Sequence, residues 1–284
     1  MNENIIIVNP EELAKKKQLI KEAGAGALHI LTDFDKTLTK TYVNGKIFPS
    51  VISILRDNEY LSKSYSVKAQ ELYNKYRPIE IDPDISYEEK KAVMHEWWMA
   101  HFDLLIKAGL NKSHLAQAAE SGSILFRHGM GEFFGILKTK NIPVVIMSSS
   151  GLGGETIYML LEKINSLSDN VHIISNTFEW DDDGNLLAVK EPIIHSLSKK
   201  ELTVKDYPVF ERIKNRKNVI LIGDNLEDVD MIEGFDYENL ISIGFLNENV
   251  EANLEKYKKY YDVIILDDAP MDYINDLIKE VLIS

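Results

Sequence analysis

The sequence contains no cysteine, so it has neither a disulfide framework nor a thiolate metal site. Long apolar runs are also missing: stretches such as Val219–Ile222 are far shorter than the ~20 residues that a membrane helix requires. The first residues, Met1–Asn4, have neither the basic start nor the apolar stretch of a secretory signal. These absences predict a cytoplasmic protein with no membrane-spanning segment.

Basic residues are in the minority. The chain has 32 Lys and Arg against 45 Asp and Glu, which gives a net charge of −13. No basic stripe is available to meet a phosphate backbone, so a nucleic-acid polymer is not expected as a partner. The seven histidines show no metal-ligand spacing. An acidic protein can still bind a small phosphate ester if a metal and a few local cations line the pocket.

A chain of 284 residues can bury a sizeable core. Pro10–Ala23 is typical of an amphipathic helix, and apolar strands alternate with helices from about Gly129 onward. This alternation predicts an α/β fold: a doubly wound, Rossmann-like parallel sheet covered by helices on both faces. We expect the core to comprise residues 1–40 and 130–284. The pattern of residues 41–129 predicts helices broken by Pro78 and Pro83. We expect this segment to form a mostly helical insertion after the first core strand.

Two carboxylates, Asp33 and Asp35, directly follow the apolar strand that begins at Leu28. Ligands of open α/β sheets bind at the carboxyl ends of the strands. Unpaired charges there are costly, and the simplest compensation is a hard divalent cation held by carboxylate and carbonyl oxygens. One acid can then act as a nucleophile and the other as a proton donor. A helix cap is the alternative interpretation of the pair.

Three further segments carry polar groups near strand ends. Ser148–Gly154 offers hydroxyls and backbone N–H groups to an anion between a strand and a helix. Gly223-Asp224 followed by Asp228 places acids after a third strand, and Lys199 or Lys200 supplies a cation just before it. Each segment alone could be an ordinary loop or turn. Their joint order along the chain indicates a phosphoryl-transfer site.

That combination, headed by Asp33-Phe34-Asp35-Lys36-Thr37-Leu38-Thr39, resembles the haloacid dehalogenase (HAD) superfamily. Within it, the chain is similar over nearly its whole length to the cytosolic pyrimidine 5′-nucleotidases. The segments that carry this resemblance are Ile30–Asp35, Ile79–Pro83, Glu96-Trp97, Pro143–Ile146, Gly223-Asp224 and Ile243–Asn247.

The resemblance implies a HAD-type core with a cap, and an enzyme that hydrolyses nucleoside 5′-monophosphates, CMP and UMP first, through an aspartyl-phosphate. Asp33 would be the nucleophile and Asp35 the acid and later the base. Mg²⁺ would be held by the Asp33 carboxylate, the Asp35 carbonyl and Asp224. Asp228 would orient the lysine or the metal's waters.

The resemblance also implies the substrate contacts. Alignment from the strand favours Ser148 as the phosphate-binding serine, and alignment from Gly151-Leu152-Gly153 favours Ser149; Lys199 matches the family lysine better than Lys200. In the cap, Glu96 would reach the base and Ser121 would lie in the same pocket. Trp97 lies on an apolar stripe of helical spacing and is expected in the core.

Two other functions remain open on the sequence. One is a phosphatase of the same superfamily with another small phosphomonoester as substrate, and the other is a non-catalytic nucleotide-binding protein. The preferred nucleotide, 7-methyl-GMP included, is also open. Asp181-Asp182-Asp183-Gly184 could suggest a second metal site, but Asp-Gly between short strands favours a hairpin turn.

Overall fold

The computed structural model of the protein describes residues 4–43, 45–47, 50–57, 60–82, 84–199, 201–233 and 236–283. The strands are β1 Ile5–Ile7, β2 Leu28–Thr32, β3 Tyr42–Val43, β4 Lys46–Ile47, β5 Val144–Met147, β6 Val171–Ile174, β7 Thr177–Trp180, β8 Leu186–Lys190, β9 Asn218–Gly223, β10 Asn239–Leu246 and β11 Val263–Leu266. The α-helices are α1 Pro10–Ala23, α2 Val51–Asp57, α3 Lys63–Ile81, α4 Tyr87–Lys107, α5 Lys112–Glu120, α6 Met130–Thr139, α7 Gly153–Lys163, α8 Phe210–Ile213, α9 Val250–Tyr257 and α10 Asp272–Leu282.

The central sheet has seven strands in the order β1-β11-β10-β9-β2-β5-β6. All neighbours from β11 to β6 pair in parallel, as predicted for an α/β fold. Side chains of these strands alternate between two apolar clusters, one on each face of the sheet, because successive residues of a strand point to opposite sides. In β9, for example, Ile220 and Ile222 belong to one cluster and Val219 and Leu221 to the other. The predicted α/β class is therefore confirmed.

Strand β1 is a correction to the predicted sheet. It pairs antiparallel with β11, with Ile5 opposite Ile265. A run of three residues is too short to carry a periodic signal, so only the pairing with β11 reveals it. The strand that begins at Leu28 is thus the second strand of the chain, although it is the first of the parallel ones.

The segment between β2 and α6 contains helices α2 to α5 and the small β3–β4 hairpin. Ser86 is the N-cap of α4: its Oγ accepts a hydrogen bond from Glu89 N. Pro78, expected to break a helix, instead lies within α3, one turn from its end; Pro83 lies outside the described residues. Within the described part of the chain, no helix combines the length and apolar composition needed to cross a bilayer.

The buried face of α4 also differs from the expectation. Met94, Phe102 and Leu105 are the buried side chains, whereas Trp97 is only half-buried. Trp97 stacks on Tyr76 of α3, with ring centroids 5.7 Å apart. The helix is covered on two sides, by α3 and by the core, so a single apolar stripe does not describe it.

Candidate active site

Neighbouring strands bring two of the predicted acids together. Asp33 follows β2 and is 3% exposed, and its backbone N–H donates to Ile222 O of β9 over 3.0 Å. Asp224 follows Gly223, the last residue of β9. Because β2 and β9 are parallel neighbours, their carboxyl ends meet and the two carboxylates lie in one cluster.

Asp228 is the third carboxylate of this cluster. Its Oδ2 accepts hydrogen bonds from the backbone nitrogens of Asp224 and Asn225, both over 3.0 Å. The approach is possible because Gly223 has no side chain: a Cβ there would lie 2.5 Å from Asp228 Cβ. The turn after β9 is therefore shaped by the pair Gly223 and Asp228.

Lys199 provides the buried cation. Its side chain is 5% exposed, and its Nζ donates to Asp33 Oδ1 and, over 3.2 Å, to Asp228 Oδ1. Burial disfavours the ammonium, but the charges of Asp228 and Asp33 outweigh this and hold the pKa of Lys199 above its usual range. Lys200 lies outside the described residues.

The acids outnumber the cations that balance them. Burial raises the pKa of Asp33 to about 6 although Lys199 opposes it, and burial with the nearby charge of Asp33 raises the pKa of Asp35 to about 7. The pKa of Asp224 is raised well above its ordinary value by burial and by repulsion from Asp228 and Asp33. Such a cluster of buried carboxylates is stabilised by added positive charge.

The donor set fits a hard divalent cation. Carboxylate oxygens of Asp33, Asp224 and Asp228 all lie within 4.8 Å of one another. Both oxygens of Asp228 are already engaged, by Lys199 and by backbone N–H groups. Asp33 and Asp224 are therefore the carboxylates suited to hold Mg²⁺, which prefers oxygen ligands. The Asp35 carbonyl is a further ligand that the family resemblance implies.

The two candidate serines occupy different environments. Ser148 is 1% exposed, and its Oγ accepts a hydrogen bond from Ser150 N over 3.2 Å. Ser149 is partly exposed and lines the cavity above the acid cluster. Of the two, Ser149 is the one that lines the cavity.

The acids form one end of a cavity of about 500 Å³, a volume typical of small-molecule sites. Aromatic rings and cations from the segment between β2 and α6 cover its other side. These side chains are Tyr65, Tyr73, Arg56, Arg77, Trp97, Trp98 and His101. The places of Tyr65, Tyr73, Arg56, Arg77 and His101 in the site are not evident from the sequence, because no spacing distinguishes the cavity-facing side of a helix that is covered on several sides.

The two predicted cap contacts lie elsewhere. Glu96 is exposed, and its Oε1 accepts hydrogen bonds from Tyr76 Oη and, over 3.2 Å, from Lys75 Nζ. Ser121 directly follows α5 as its C-cap, and its Oγ donates to Ala118 O over 2.7 Å. Neither is among the described residues that line the cavity. Along α4 each residue turns by about 100°, so Trp97 and Trp98 face the cavity while Glu96 faces α3 and solvent.

The possible second acidic site is a turn, as expected. Asp181 Oδ1 accepts hydrogen bonds from Asp183 N over 3.0 Å and from Asn185 N over 2.7 Å. The segment joins β7 to β8, which pair antiparallel. In the part of the chain that the structure describes, Asp33, Asp224 and Asp228 form the acidic group suited to a metal.

A parallel sheet whose strand ends carry an acid pair, a serine loop, a buried lysine and a Gly-Asp turn is the HAD-type fold that the sequence predicts. A HAD-family hydrolase from Salmonella enterica shares this fold, with a TM-score of 0.58 at 17% identity over 95% of this chain and 81% of that one. A much stronger similarity links the chain to cytosolic 5′-nucleotidase IIIB, solved bound to cytidine. Its TM-score is 0.90 at 29% identity, covering 99% of this chain and 94% of the other.

Residues 36–282 match the family Pyrimidine 5′-nucleotidase (UMPH-1), and the chain belongs to this family. The 7-methylguanosine phosphate-specific 5′-nucleotidase of Gallus gallus is 32% identical over 279 residues, 98% of this chain and 96% of the relative. The putative cytosolic 5′-nucleotidase 3 of Caenorhabditis elegans is 31% identical over 95% of this chain and 73% of the relative. The resemblance seen in the sequence is thereby confirmed, and the chain is a 5′-nucleotidase of the HAD superfamily.

Proposed function

We propose that this protein is a Mg²⁺-dependent 5′-nucleotidase that hydrolyses pyrimidine nucleoside 5′-monophosphates, CMP and UMP, through an aspartyl-phosphate on Asp33. The observation that carries the proposal is the position of the Asp33 carboxylate. It is buried beside Lys199 at the acidic end of a cavity whose other side is aromatic. A phosphoryl group can meet the nucleophile there while a base contacts the rings.

The first step forms a bond from a carboxylate oxygen of Asp33 to phosphorus and breaks the bond from phosphorus to O5′. Asp35 gives its proton to O5′, so the nucleoside leaves as the neutral alcohol. A pKa raised to about 7 suits Asp35 to this role, because the group is then protonated in a useful fraction of molecules near neutral pH.

The second step regenerates the enzyme. The Asp35 carboxylate takes a proton from a water molecule, which attacks phosphorus and breaks the bond to Asp33. Inorganic phosphate leaves, and both carboxyl groups return to their starting states. The same residue serves as acid and then as base, as required when one group faces both the leaving and the entering oxygen.

Binding of the phosphoryl group is proposed for Ser149 and Lys199. Ser149 is on the cavity surface, while Lys199 carries a permanent positive charge next to Asp33. When bound by Asp33, Asp224 and the Asp35 carbonyl, Mg²⁺ supplies charge neutralisation for the transferring phosphoryl group. Asp228 positions Lys199 and the Asp224 turn, since its two oxygens are engaged by both.

The nucleoside is proposed to lie against the aromatic side of the cavity. Tyr65, Tyr73, Trp97 and Trp98 offer flat apolar surface that suits a pyrimidine ring. The bound cytidine in the solved cytosolic 5′-nucleotidase IIIB supports this choice of substrate. Glu96, predicted to contact the base, and Ser121 stay predictions, and a contact from Glu96 would require it to leave Tyr76 and Lys75.

A second candidate substrate is 7-methylguanosine monophosphate. Curated relatives from chicken, frog and mouse carry this specificity in their names at 30–34% identity. The methylated base is cationic, and a tryptophan face such as that of Trp97 attracts a cation more strongly than it attracts a neutral base. The aromatic side of the cavity therefore also suits this nucleotide.

We further propose that residues 41–129 act as a cap over the core of residues 1–40 and 130–284, in the cytosol. Contacts near Lys199 support this division. Tyr87 Oη of α4 donates to Leu197 O over 2.7 Å, and Ser196 Oγ donates to Glu80 Oε1 of α3 over 2.9 Å. Movement of α3 and α4 would therefore shift the segment that directly precedes Lys199. Closure of the cap would exclude water during phosphoryl transfer.

A substrate panel tests the function. Purified protein with Mg²⁺ is assayed for phosphate release from CMP, UMP, GMP, 7-methyl-GMP, a sugar phosphate and phosphoserine, and kcat/KM values are compared. We expect CMP and UMP to lead, with 7-methyl-GMP leading instead if the second candidate holds. Release from phosphoserine or a sugar phosphate alone would refute nucleotidase function, and CMP binding without turnover would indicate a binding protein.

A further inference from the structure

A fully buried arginine lies beside the proposed catalytic turn. The side chain of Arg127 is 0% exposed. Its guanidinium lies over the ring of Phe245, 3.8 Å from the ring centroid, and its N–H groups donate to oxygen atoms of several loops. Nε donates to Thr37 O over 2.7 Å, and Nη2 donates to Lys36 O. Both carbonyls belong to the turn that directly follows Asp35.

The remaining donors reach two other loops at the same end of the sheet. Nη1 donates to Ala269 O over 2.8 Å and lies 3.0 Å from Asp268 Oδ1, beyond β11. Nη2 also donates to Asn247 Oδ1 over 3.2 Å, just after β10. Burial lowers the pKa of Arg127 to about 10, so the side chain remains charged at neutral pH.

The turn that Arg127 holds needs such support. Lys36 has a φ of 61°, a left-handed conformation that residues with a Cβ seldom adopt. Its carbonyl accepts from Arg127 Nη2 and from Asn247 Nδ2, the latter over 3.1 Å. This geometry sets the direction in which the chain leaves Asp35, and hence where the Asp35 side chain and carbonyl lie.

Arg127 also lies where the chain returns from the segment proposed as the cap. The outgoing and returning segments pair side by side: Lys40 N donates to Leu125 O over 2.7 Å, and Arg127 N donates to Leu38 O over 3.1 Å. Asp268, the ionic partner of Arg127, accepts a hydrogen bond from Thr41 N over 2.8 Å. The same cluster thus joins both connecting segments to the turn after Asp35.

We propose that Arg127 is a positioning residue of the reaction, which fixes the turn of Lys36 and Thr37 and both connecting segments, and so sets where Asp35 lies relative to Asp33. This inference rests on the proposed function. It assigns to Arg127 an effect on the rate of phosphoryl transfer, exerted through the Asp35 turn, and no contact with substrate.

A second arginine, Arg216, provides a control that separates an effect on the Asp35 turn from an effect on stability alone. Arg216 also binds carbonyl oxygens, with Nη1 donating to Ala25 O over 2.9 Å and to Leu28 O over 2.8 Å. It lies at the opposite end of β2, away from the acids. Arg127→Lys and Arg216→Lys therefore both weaken a carbonyl-binding arginine, but only the first is next to the catalytic turn.

The experiment compares kcat, KM and melting temperature for both variants with CMP or the best nucleotide of the panel. We expect Arg127→Lys to lower kcat by about 10- to 100-fold with KM changed much less, because small displacements of reacting groups cost rate. Arg216→Lys should lower the melting temperature but keep kcat within about twofold. Equal kcat values for Arg127→Lys and wild type would overturn the proposal.

Hydrogen–deuterium exchange gives a readout that does not depend on activity. Amides of residues 36–41 should exchange faster in Arg127→Lys than in wild type or Arg216→Lys. Should Arg127→Lys fail to fold, Asn247→Ala removes one contact to Arg127 and one to Lys36 O and should show the same pattern to a smaller extent. Unchanged exchange in Arg127→Lys would refute positioning by Arg127. If the wild-type protein hydrolyses no nucleotide, the nucleotidase assignment is refuted. Faster exchange in Arg127→Lys would in that case still support the role of Arg127 in fixing the turn.

Discussion

Val51 N donates a hydrogen bond to Asp35 Oδ1 over 3.2 Å, so the first residue of helix α2 holds the side chain of the proposed proton donor. The bond joins the turn after β2 to the first helix of the segment between β2 and α6. It favours the ionised carboxylate and thereby opposes the effect of burial on the pKa of Asp35. A displacement of α2 would release Asp35 and change its readiness to donate a proton.

Asp33→Asn should abolish turnover while the fold persists. The amide keeps the shape of the carboxylate but cannot attack phosphorus, so phosphate release from CMP should fall by about 10³-fold or more. Lys199 retains Asp228 as an ionic partner, so the melting temperature should change little. Phosphate release at the wild-type rate by this variant would rule out Asp33 as the nucleophile.

Asp35→Asn should separate the two chemical steps. Hydrolysis of CMP should fall by about 10²- to 10⁴-fold, because the nucleoside oxygen needs a proton to leave. With 4-nitrophenyl phosphate, whose leaving group needs no proton, one equivalent of nitrophenol should still appear in a burst before turnover stalls. Rapid-quench or stopped-flow absorbance measures the burst. If the nitrophenol burst is absent, and hydrolysis of 4-nitrophenyl phosphate is impaired as much as that of CMP, Asp35 does not act as the acid.

The choice between the two serines can be decided by a pair of alanine variants. Ser149→Ala should lower kcat/KM by about 10- to 100-fold, because Ser149 faces the cavity and a lost hydrogen bond to a charged phosphoryl group is costly. Ser148→Ala should mainly lower the free energy of unfolding, by about 1 kcal/mol, since Ser148 Oγ accepts from Ser150 N inside the protein. Kinetics and urea unfolding on both variants give the answer. The reverse pattern would assign phosphate binding to Ser148.

Mg²⁺ should stabilise the protein as well as activate it. Relief of repulsion among Asp33, Asp224 and Asp228 predicts a melting temperature that rises with Mg²⁺, corresponding to about 2.7 kcal/mol at 100 times the dissociation constant. EDTA should abolish phosphate release and reverse the shift. Asp224→Asn should weaken both effects. Asp182→Asn, in the exposed β7–β8 turn, is the control and should behave as wild type; an equal loss there would favour a metal at that turn.

Acid should destabilise the fold partly through His195. Burial, with added repulsion from His95, lowers the pKa of His195 to about 4, below the ordinary 6.5. The unfolded chain therefore binds the proton more readily, so stability is complete above pH 6.5 and is lost as pH falls toward 4. The loss from this one residue is at most roughly 3 kcal/mol.

His195→Gln should make the free energy of unfolding less dependent on pH across that range, as measured by urea titrations. His128→Gln is the control, because the His128 side chain is 87% exposed. Contributions of the active-site acids are common to all these proteins and cancel in the comparison. An unchanged slope in His195→Gln would show that the buried neutral histidine does not govern acid stability.

The core and its acid cluster could be predicted from the sequence because they depend on local patterns. Val144–Met147 and Val263–Leu266 are continuous apolar runs, and both strands have those bounds in the structure. Asp33 and Asp224 follow such runs, and the parallel pairing of β2 with β9 then places them together without further information. Helix α9, by contrast, is a short charged surface helix and was not predicted.

The cavity's other side could not be predicted in the same way. Trp97 and Glu96 are adjacent in sequence, and which of them faces the cavity depends on how α3 and α4 pack together. Arg56 and Arg77 come from different helices whose mutual placement no sequence period encodes. Arg127 likewise acquires its role from oxygen atoms of three loops, which only the folded chain brings together.

Strand β1 has a consequence for how the molecule behaves in concentrated solution. Its antiparallel pairing covers the outer side of β11, where an open row of N–H and C=O groups would otherwise invite strand addition from another copy. That edge of the sheet is then a strand of only three residues, Ile5–Ile7, which offers another copy few groups to pair with. Loss of these residues would leave the longer β11 as the edge and favour self-association.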